Sequence, residues 1–192
     1  MNTIIKNYEK EIIIKKSRFI GVAIEITSKE EAENIIESYR TKYKDATHVC
    51  YAYIVNNNEK ASDDGEPKGT AGIPMLNLLK KKNLTNILCL VIRYFGGIKL
   101  GANGLLRAYV DTELEVLNNN IVPLIDGYYL KIKFPYSLEK EVSHLLKNCT
   151  ITNKQYDKNI VYELECDIDI YSKLQSMKII DTYEEQLIKK LP

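Results

Sequence analysis

Residues 86–118 read NILCLVIRYFGGIKLGANGLLRAYVDTELEVLN, and the fold turns on how this stretch is divided. Its first part, Asn86–Phe95, is almost continuously apolar, which predicts a central strand covered on both faces. Gly96-Gly97 stops that strand abruptly. After Lys99, Gly101 and Gly104 open a helix predicted over Ala102–Asn118, with Leu106, Val110, Leu114 and Leu117 on an apolar stripe. Asn103, Arg107, Asp111 and Glu115 recur on a different face. Asn118-Asn119-Asn120 ends the helix and marks a domain boundary, giving domains 1–120 and 121–192.

Upstream, Ile12-Ile13-Ile14 and Phe19–Ile26 are β-branched or aromatic runs and predict strands. Ser28-Lys29-Glu30-Glu31 is a capping box, and Ala32, Ile35, Ile36 and Tyr39 continue it at helical spacing. Thr47–Val55 predicts a strand. Residues 56–72 hold three consecutive Asn, an Asp pair and three Gly, so a loop is expected. Ile73–Lys82 follows as a short helix, with Pro74 tolerated in its first turn. Downstream, Tyr128–Phe134 predicts a strand and Ser137–Asn148 a helix. Thr150–Asp157 and Ile160–Ile168 predict two strands, followed by a helix near Tyr171–Ile180 and a last strand. That βαββαβ order is the split βαβ of the ferredoxin-like class. The final ten residues fit strand or helix equally. The fold class is α+β.

Composition excludes several classes. Of 192 residues, 45% are apolar and 28% charged, enough for a core without staples. Lys plus Arg (27) nearly balances Asp plus Glu (26), so any anionic partner needs a local patch rather than bulk charge. Cys50, Cys89, Cys149 and Cys166 show no paired metal-ligand spacing, and Cys50 and Cys89 read as buried reduced thiols. No metal or cofactor is implied. Lys6, Glu9, Lys10 and Glu11 interrupt the start of the chain as a secretory signal, and no apolar run approaches the roughly 20 residues of a membrane span. The cytoplasm is the expected location.

Two segments carry chemistry. Around Gly96–Gly104, glycines permit tight turning, the helix start offers free N–H groups, and Lys99 and Arg107 add charge. The turn reads equally as an anion cradle or as packing, and Arg93 at the strand end favours binding. It is neither GxxxxGK[ST] nor GxGxxG. In DDGEPKGTAGIP (63–74), the acids Asp63, Asp64 and Glu66 read as solvated turn formers rather than a calcium loop. Thr70 is expected to cap the next helix, and Lys68 adds a second anion feature. His48 shares a strand face with Cys50 and Ala52 and reads as a satisfied core residue.

These segments, with Ser17-Arg18-Phe19 and Ala46-Thr47-His48-Val49-Cys50, resemble the IMPACT (YigZ) family. The resemblance covers residues 1–120 most strongly. It implies an N-terminal domain of the superfold shared by a ribosomal protein and the penultimate domain of elongation factor G. It implies a C-terminal domain similar to the ferredoxin-like last domain of that factor. Eukaryotic relatives regulate translation under amino-acid starvation by binding a ribosome-associated activator of a stress kinase. Lys68 stands where the family often has Ser, and Asn103 replaces a Gly of the usual GxGGL.

The leading expectation is a non-enzymatic binding protein acting on the translation apparatus: ribosome, RNA or a translation-regulating protein. Arg18, Lys68, Arg93, Lys99 and Arg107 are the expected contacts to phosphate or an acidic partner. His48, Asp64, Glu66, Thr70, Gly96, Gly97, Gly101, Asn103 and Gly104 complete the candidate site. The alternative is an enzyme on a phosphorylated small molecule, with His48, Asp64 or Glu66 as acid/base and the Gly96–Gly104 turn holding phosphate. No complete catalytic constellation can be named for it.

Overall fold

The computed structural model describes residues 1–189. They fall into two compact units, one of Met1–Val122 and one from Pro123 onward. Both contain antiparallel sheets with helices, so the chain is α+β.

After a short strand β1 (Asn2–Ile4), the first unit builds one sheet from β2 (Tyr8–Ile14), β3 (Ser17–Glu25), β4 (His48–Val55), β5 (Asn58–Ser62) and β6 (Ile87–Tyr94), in the order β2-β3-β6-β4-β5. Helix α1 (Lys29–Lys42) covers one face. Helices α2 (Gly72–Lys81) and α3 (Ala102–Leu117) cover the other. Strand β6 lies at the centre and is buried from Ile87 to Arg93, as its unbroken apolar run requires. Leu88, Leu90 and Ile92 face α1, while Ile87, Cys89 and Val91 face α2 and α3. Each such side chain, fully buried, stabilises the unit by about 1.5–3 kcal/mol relative to exposure.

Local signals explain the helix starts. The Ser28 hydroxyl accepts from the Glu31 N–H at 3.1 Å. The returning Glu31 carboxylate accepts from the Thr27 N–H at 2.7 Å, one residue before the expected partner. Helix α2 begins differently from expectation. Asp63, eight residues upstream of Ala71, accepts the N–H groups of Gly69, Ala71 and Gly72 at 2.8, 3.0 and 2.9 Å. Thr70 instead turns its hydroxyl back to the Pro67 carbonyl at 2.7 Å.

Two further expectations are corrected. Residues 58–62 are not loop but edge strand β5, joined to β4 through Asn56 at φ +52° and paired Val55 to Asn58. Pairing with a central neighbour overrides the poor strand propensity of Asn-Glu-Lys-Ala-Ser. On α3, the buried face is Leu105, Ala108, Tyr109, Thr112, Glu113, Val116 and Leu117, and Leu106 is 40% exposed. The helix is rotated because Thr112 packs directly on Gly21 of β3, where an added Cβ would lie 2.8 Å from the Thr112 carbonyl oxygen.

The second unit has βαββαβ order: β7 (Ile121–Phe134), α4 (Glu139–Leu145), β8 (Thr150–Tyr156), β9 (Ile160–Cys166), α5 (Ile168–Ser176) and β10 (Ile180–Lys189). Its strands pair antiparallel as β10-β7-β9-β8. Helix α5 starts earlier than the spacing predicts because Asp167 caps it, accepting from the Ile170 N–H at 3.0 Å. Of the final ten residues, those through Lys189 form strand, and 190–192 lie outside the described residues.

Candidate functional site

The site begins as a row across three strands. Antiparallel register sets Phe19 of β3 opposite Arg93 of β6, and Arg93 opposite His48 of β4. Directly opposed residues share a face, so all three point toward α2 and α3. Glu66 enters this row from the loop before α2, and Tyr109 enters it from α3.

Arg93 Nη1 donates to Glu66 Oε1 at 2.5 Å, and the Tyr109 hydroxyl donates to the same oxygen at 2.9 Å. The Arg93 and Glu66 side chains are only 6% and 3% exposed. His48 Nδ1 donates to the Asp64 carbonyl oxygen at 2.8 Å, leaving Nε2 3.8 Å from Glu66 Oε1. Asp64 is itself held by Arg40 Nη2 at 2.9 Å and by the Val49 N–H at 2.7 Å. The acids of this loop are therefore not solvated turn formers: they are acceptors consumed within the fold, and Glu66 is the counter-charge of a buried arginine. The sequence alone could not pair them, since 27 residues separate Glu66 from Arg93.

The remaining groups are held in their proton-bearing forms. Burial pushes the Cys50 thiol well up, and its Sγ donates to the Asp63 carbonyl oxygen at 2.9 Å. Burial likewise pushes up the Tyr109 phenol, with Cys50 and Glu66 adding to the shift. Cys50, Cys89 and Cys166 are buried free thiols, as expected for the first two, and no thiolate nucleophile arises from them. Among the described residues no group of acids, His and Cys could hold a metal ion.

Above this pinned pair lies the glycine-rich connection from β6 to α3. The Arg93 guanidinium sits 5.5 Å from the centres of both Phe19 and Phe95, and Phe95 is 47% exposed. Gly96 is pressed onto the β2–β3 turn: a Cβ there would lie 2.0 Å from the carbonyl carbon and oxygen of Lys16. Its N–H donates to the Ser17 hydroxyl at 3.1 Å. Gly97 and Gly101 take φ of +82° and +73° with open space where a side chain would go. Gly96 and Gly104 serve packing; Gly97 and Gly101 serve the turn.

The cations expected at this surface separate into two kinds. Lys68, Lys99 and Arg107 are exposed and make no hydrogen bond or ion pair among the described residues, and Asn103, one turn before Arg107 on α3, is exposed as well. Arg18 is exposed but engaged, 3.4 Å from Glu11 and over the Tyr94 ring at 4.4 Å. Arg93 is the exception, a buried structural cation. Sequence reasoning missed Lys15 and Lys16. They form the two-residue turn between β2 and β3, both with positive φ (45° and 66°), and the Gly96 contact brings that turn to the connection. A signal was present: two strand-like runs separated by a charged pair at hairpin spacing.

Fold and site define an α+β protein in which a buried Arg–Glu pair supports a glycine-rich strand-to-helix connection. Residues 15–117 match the Impact N-terminal domain. IMPACT family member YvyE of Bacillus subtilis is 48% identical over 163 residues, covering 81% of this chain and 74% of that protein. IMPACT family member YigZ of Escherichia coli is 44% identical over 101 residues, half of each chain. The chain belongs to the IMPACT family. A crystal structure described as that of a hypothetical protein aligns over 99% of this chain and 98% of its own, with a TM-score of 0.60 and 27% identity. No helix among the described residues is long and apolar enough to cross a membrane.

Proposed function

We propose that this protein is a non-enzymatic binding module of the translation apparatus, acting in the cytoplasm and taking single-stranded RNA on the β6–α3 connection of its first unit. The observation that carries this reading is the seating of Gly96 on Lys16. It adds the Lys15-Lys16 turn to Lys99 and to the exposed Phe95 ring, while Arg107 follows in the second turn of α3. Unpaired cations around an accessible aromatic ring suit single-stranded nucleic acid, where phosphates meet the charges and a base stacks on the ring. Family membership supports the link to translation, as does the βαββαβ order of the second unit, which we read as ferredoxin-like and similar to a translation-factor domain. An acid/base role for Asp64 or Glu66 finds less support, because both carboxylates are already engaged by Arg40, the Val49 N–H, Arg93 and Tyr109.

The test is binding to ribosomes and to oligouridine across a salt series, with Lys99→Ala/Arg107→Ala beside wild type. Saturable binding is expected, its log affinity falling against log salt by about 0.7 per neutralised phosphate, with a slope reduced by about 1.4 in the double variant. Arg93 is left untouched because its removal acts through folding. A flat salt dependence, or equal affinity in the double variant, overturns the reading and turns the search to a translation-regulating protein partner. Lys68→Ser is a further arm: equal affinity removes Lys68 from the contact set.

A further inference from the structure

The second unit carries a surface of opposite character. Tyr128 of β7 stacks on Tyr171 of α5 with ring centres 4.0 Å apart and planes 10° apart. Tyr183 of β10 closes on both, at 5.5 Å from Tyr171 and 6.2 Å from Tyr128. The β7–β10 register places Glu185 opposite Tyr128, Leu187 opposite Asp126 and Tyr183 opposite the core residue Leu130. Asp126, Tyr128, Tyr183, Glu185 and Leu187 therefore share the helix-side face. Beside the rings is a cleft of about 520 Å³ whose walls include Asp126, Tyr128, Ile168, Glu185 and Leu187.

Three features of this cleft ask for a partner. Large apolar side chains stand in solvent around it: Ile168 is 52% exposed, Tyr183 58% and Leu187 43%. Asp126 and Glu185 sit diagonally on neighbouring strands, about 7–8 Å apart by strand geometry, and neither has an ion-pair partner among the described residues. No lysine or arginine lines it. Tyr171 and Tyr183 also line the adjoining cleft, where Lys178 stands beside Asp181, and Lys189, one step along the same face, lines another with Glu165 and Asp167. Burial, then Tyr183, Tyr128 and Glu185, push the Tyr171 phenol up.

We propose that this cleft docks a basic, extended protein segment, with an arginine or lysine cation between Asp126 and Glu185 and its stem along the tyrosines, Ile168 and Leu187. Aromatic faces attract cations, and a guanidinium also stacks on them. Nucleic acid fits poorly, because its phosphates would meet two unneutralised carboxylates with no lining cation. Strand β10 pairs only with β7 among the described strands, so an extended segment finds open backbone groups beside it. This proposal rests on the second unit alone and is independent of the RNA reading.

The experiment is fluorescence anisotropy with the full chain and a labelled peptide of alternating Arg and Gly, with a Glu-Gly peptide and oligouridine as alternative probes. The Arg-Gly peptide is expected to bind saturably and more weakly at high salt, and the Glu-Gly peptide not at all. Glu185→Lys is expected to weaken the Arg-Gly peptide at least roughly tenfold, and Tyr183→Ala about fivefold. The milder Glu185→Gln should give an intermediate loss, with unchanged urea midpoints excluding unfolding as the cause. Lys99→Ala/Arg107→Ala should leave peptide affinity unchanged, which separates this surface from the first. Peptide affinity unaltered by Glu185→Lys overturns the proposal, and so does a Tyr183→Ala variant that loses oligouridine while keeping the peptide.

Discussion

Replacing Glu66 by Ala is expected to destabilise the first unit more than any surface change could. Glu66 Oε1 accepts from both Arg93 and Tyr109, and the Arg93 side chain is 6% exposed. Arg93 Nε already has no hydrogen-bond partner among the described residues, so the guanidinium has little else to rely on. Removing one partner of a buried pair strands the other charge and costs about 3–5 kcal/mol. The total stability of such a unit is on the order of 5–15 kcal/mol, so a large share is lost. With an m-value of about 2 kcal/mol per molar urea, the midpoint should fall by about 2 M. Glu66→Gln keeps an oxygen for both donors and should lose about half as much. Glu66→Leu/Arg93→Met, which removes both charges, should recover much of the deficit, because buried pairs replaced by apolar groups are often neutral in effect. The assay is urea unfolding followed by tyrosine fluorescence and circular dichroism, read as a double-mutant cycle. A loss under about 1 kcal/mol in Glu66→Ala, or a coupling energy near zero between the two sites, would show that the pair is not the support described here.

Two further outcomes are expected. Glu113 is fully buried, neither carboxylate oxygen has a hydrogen-bond partner among the described residues, and burial holds its pKa well above the ordinary 4.5. The folded state then binds the proton more tightly than the unfolded one, so the contribution is full below 4.5 and declines as pH rises through the raised folded value. Glu113→Leu should therefore flatten the fall in stability that begins above pH 4.5 and raise stability at pH 8 by about 1–3 kcal/mol, checked by urea midpoints from pH 4 to 9. In the glycine connection, Gly97→Ala should cost about 1–2 kcal/mol from positive φ alone. Gly96→Ala should cost about 3 kcal/mol or more, because its Cβ meets the Lys16 backbone at 2.0 Å. Equal midpoints for the two variants would contradict that difference.

Much of this architecture was legible in local chemistry. The unbroken apolar run of β6, the Ser28 cap, the glycine stop at Gly96-Gly97 and the βαββαβ order of the second unit are signals written within a few residues of one another. They depend on backbone propensity and alternation, which neighbours in sequence suffice to express. Long-range choices were not legible. That residues 58–62 form a strand depends on a hydrogen-bonding edge supplied by β4. The burial of Leu105 and Tyr109 rather than Leu106 depends on the close approach of Thr112 to Gly21. The pairing of Glu66 with Arg93, and the meeting of Lys16 with Gly96, join segments far apart in the chain. Which carboxylate meets which cation is decided by strand register and helix rotation, because a one-residue shift turns a strand side chain to the opposite face and a helix side chain by about 100°. The residue types of the candidate site were therefore readable from the chain, while their division into buried support and exposed contact belongs to tertiary packing.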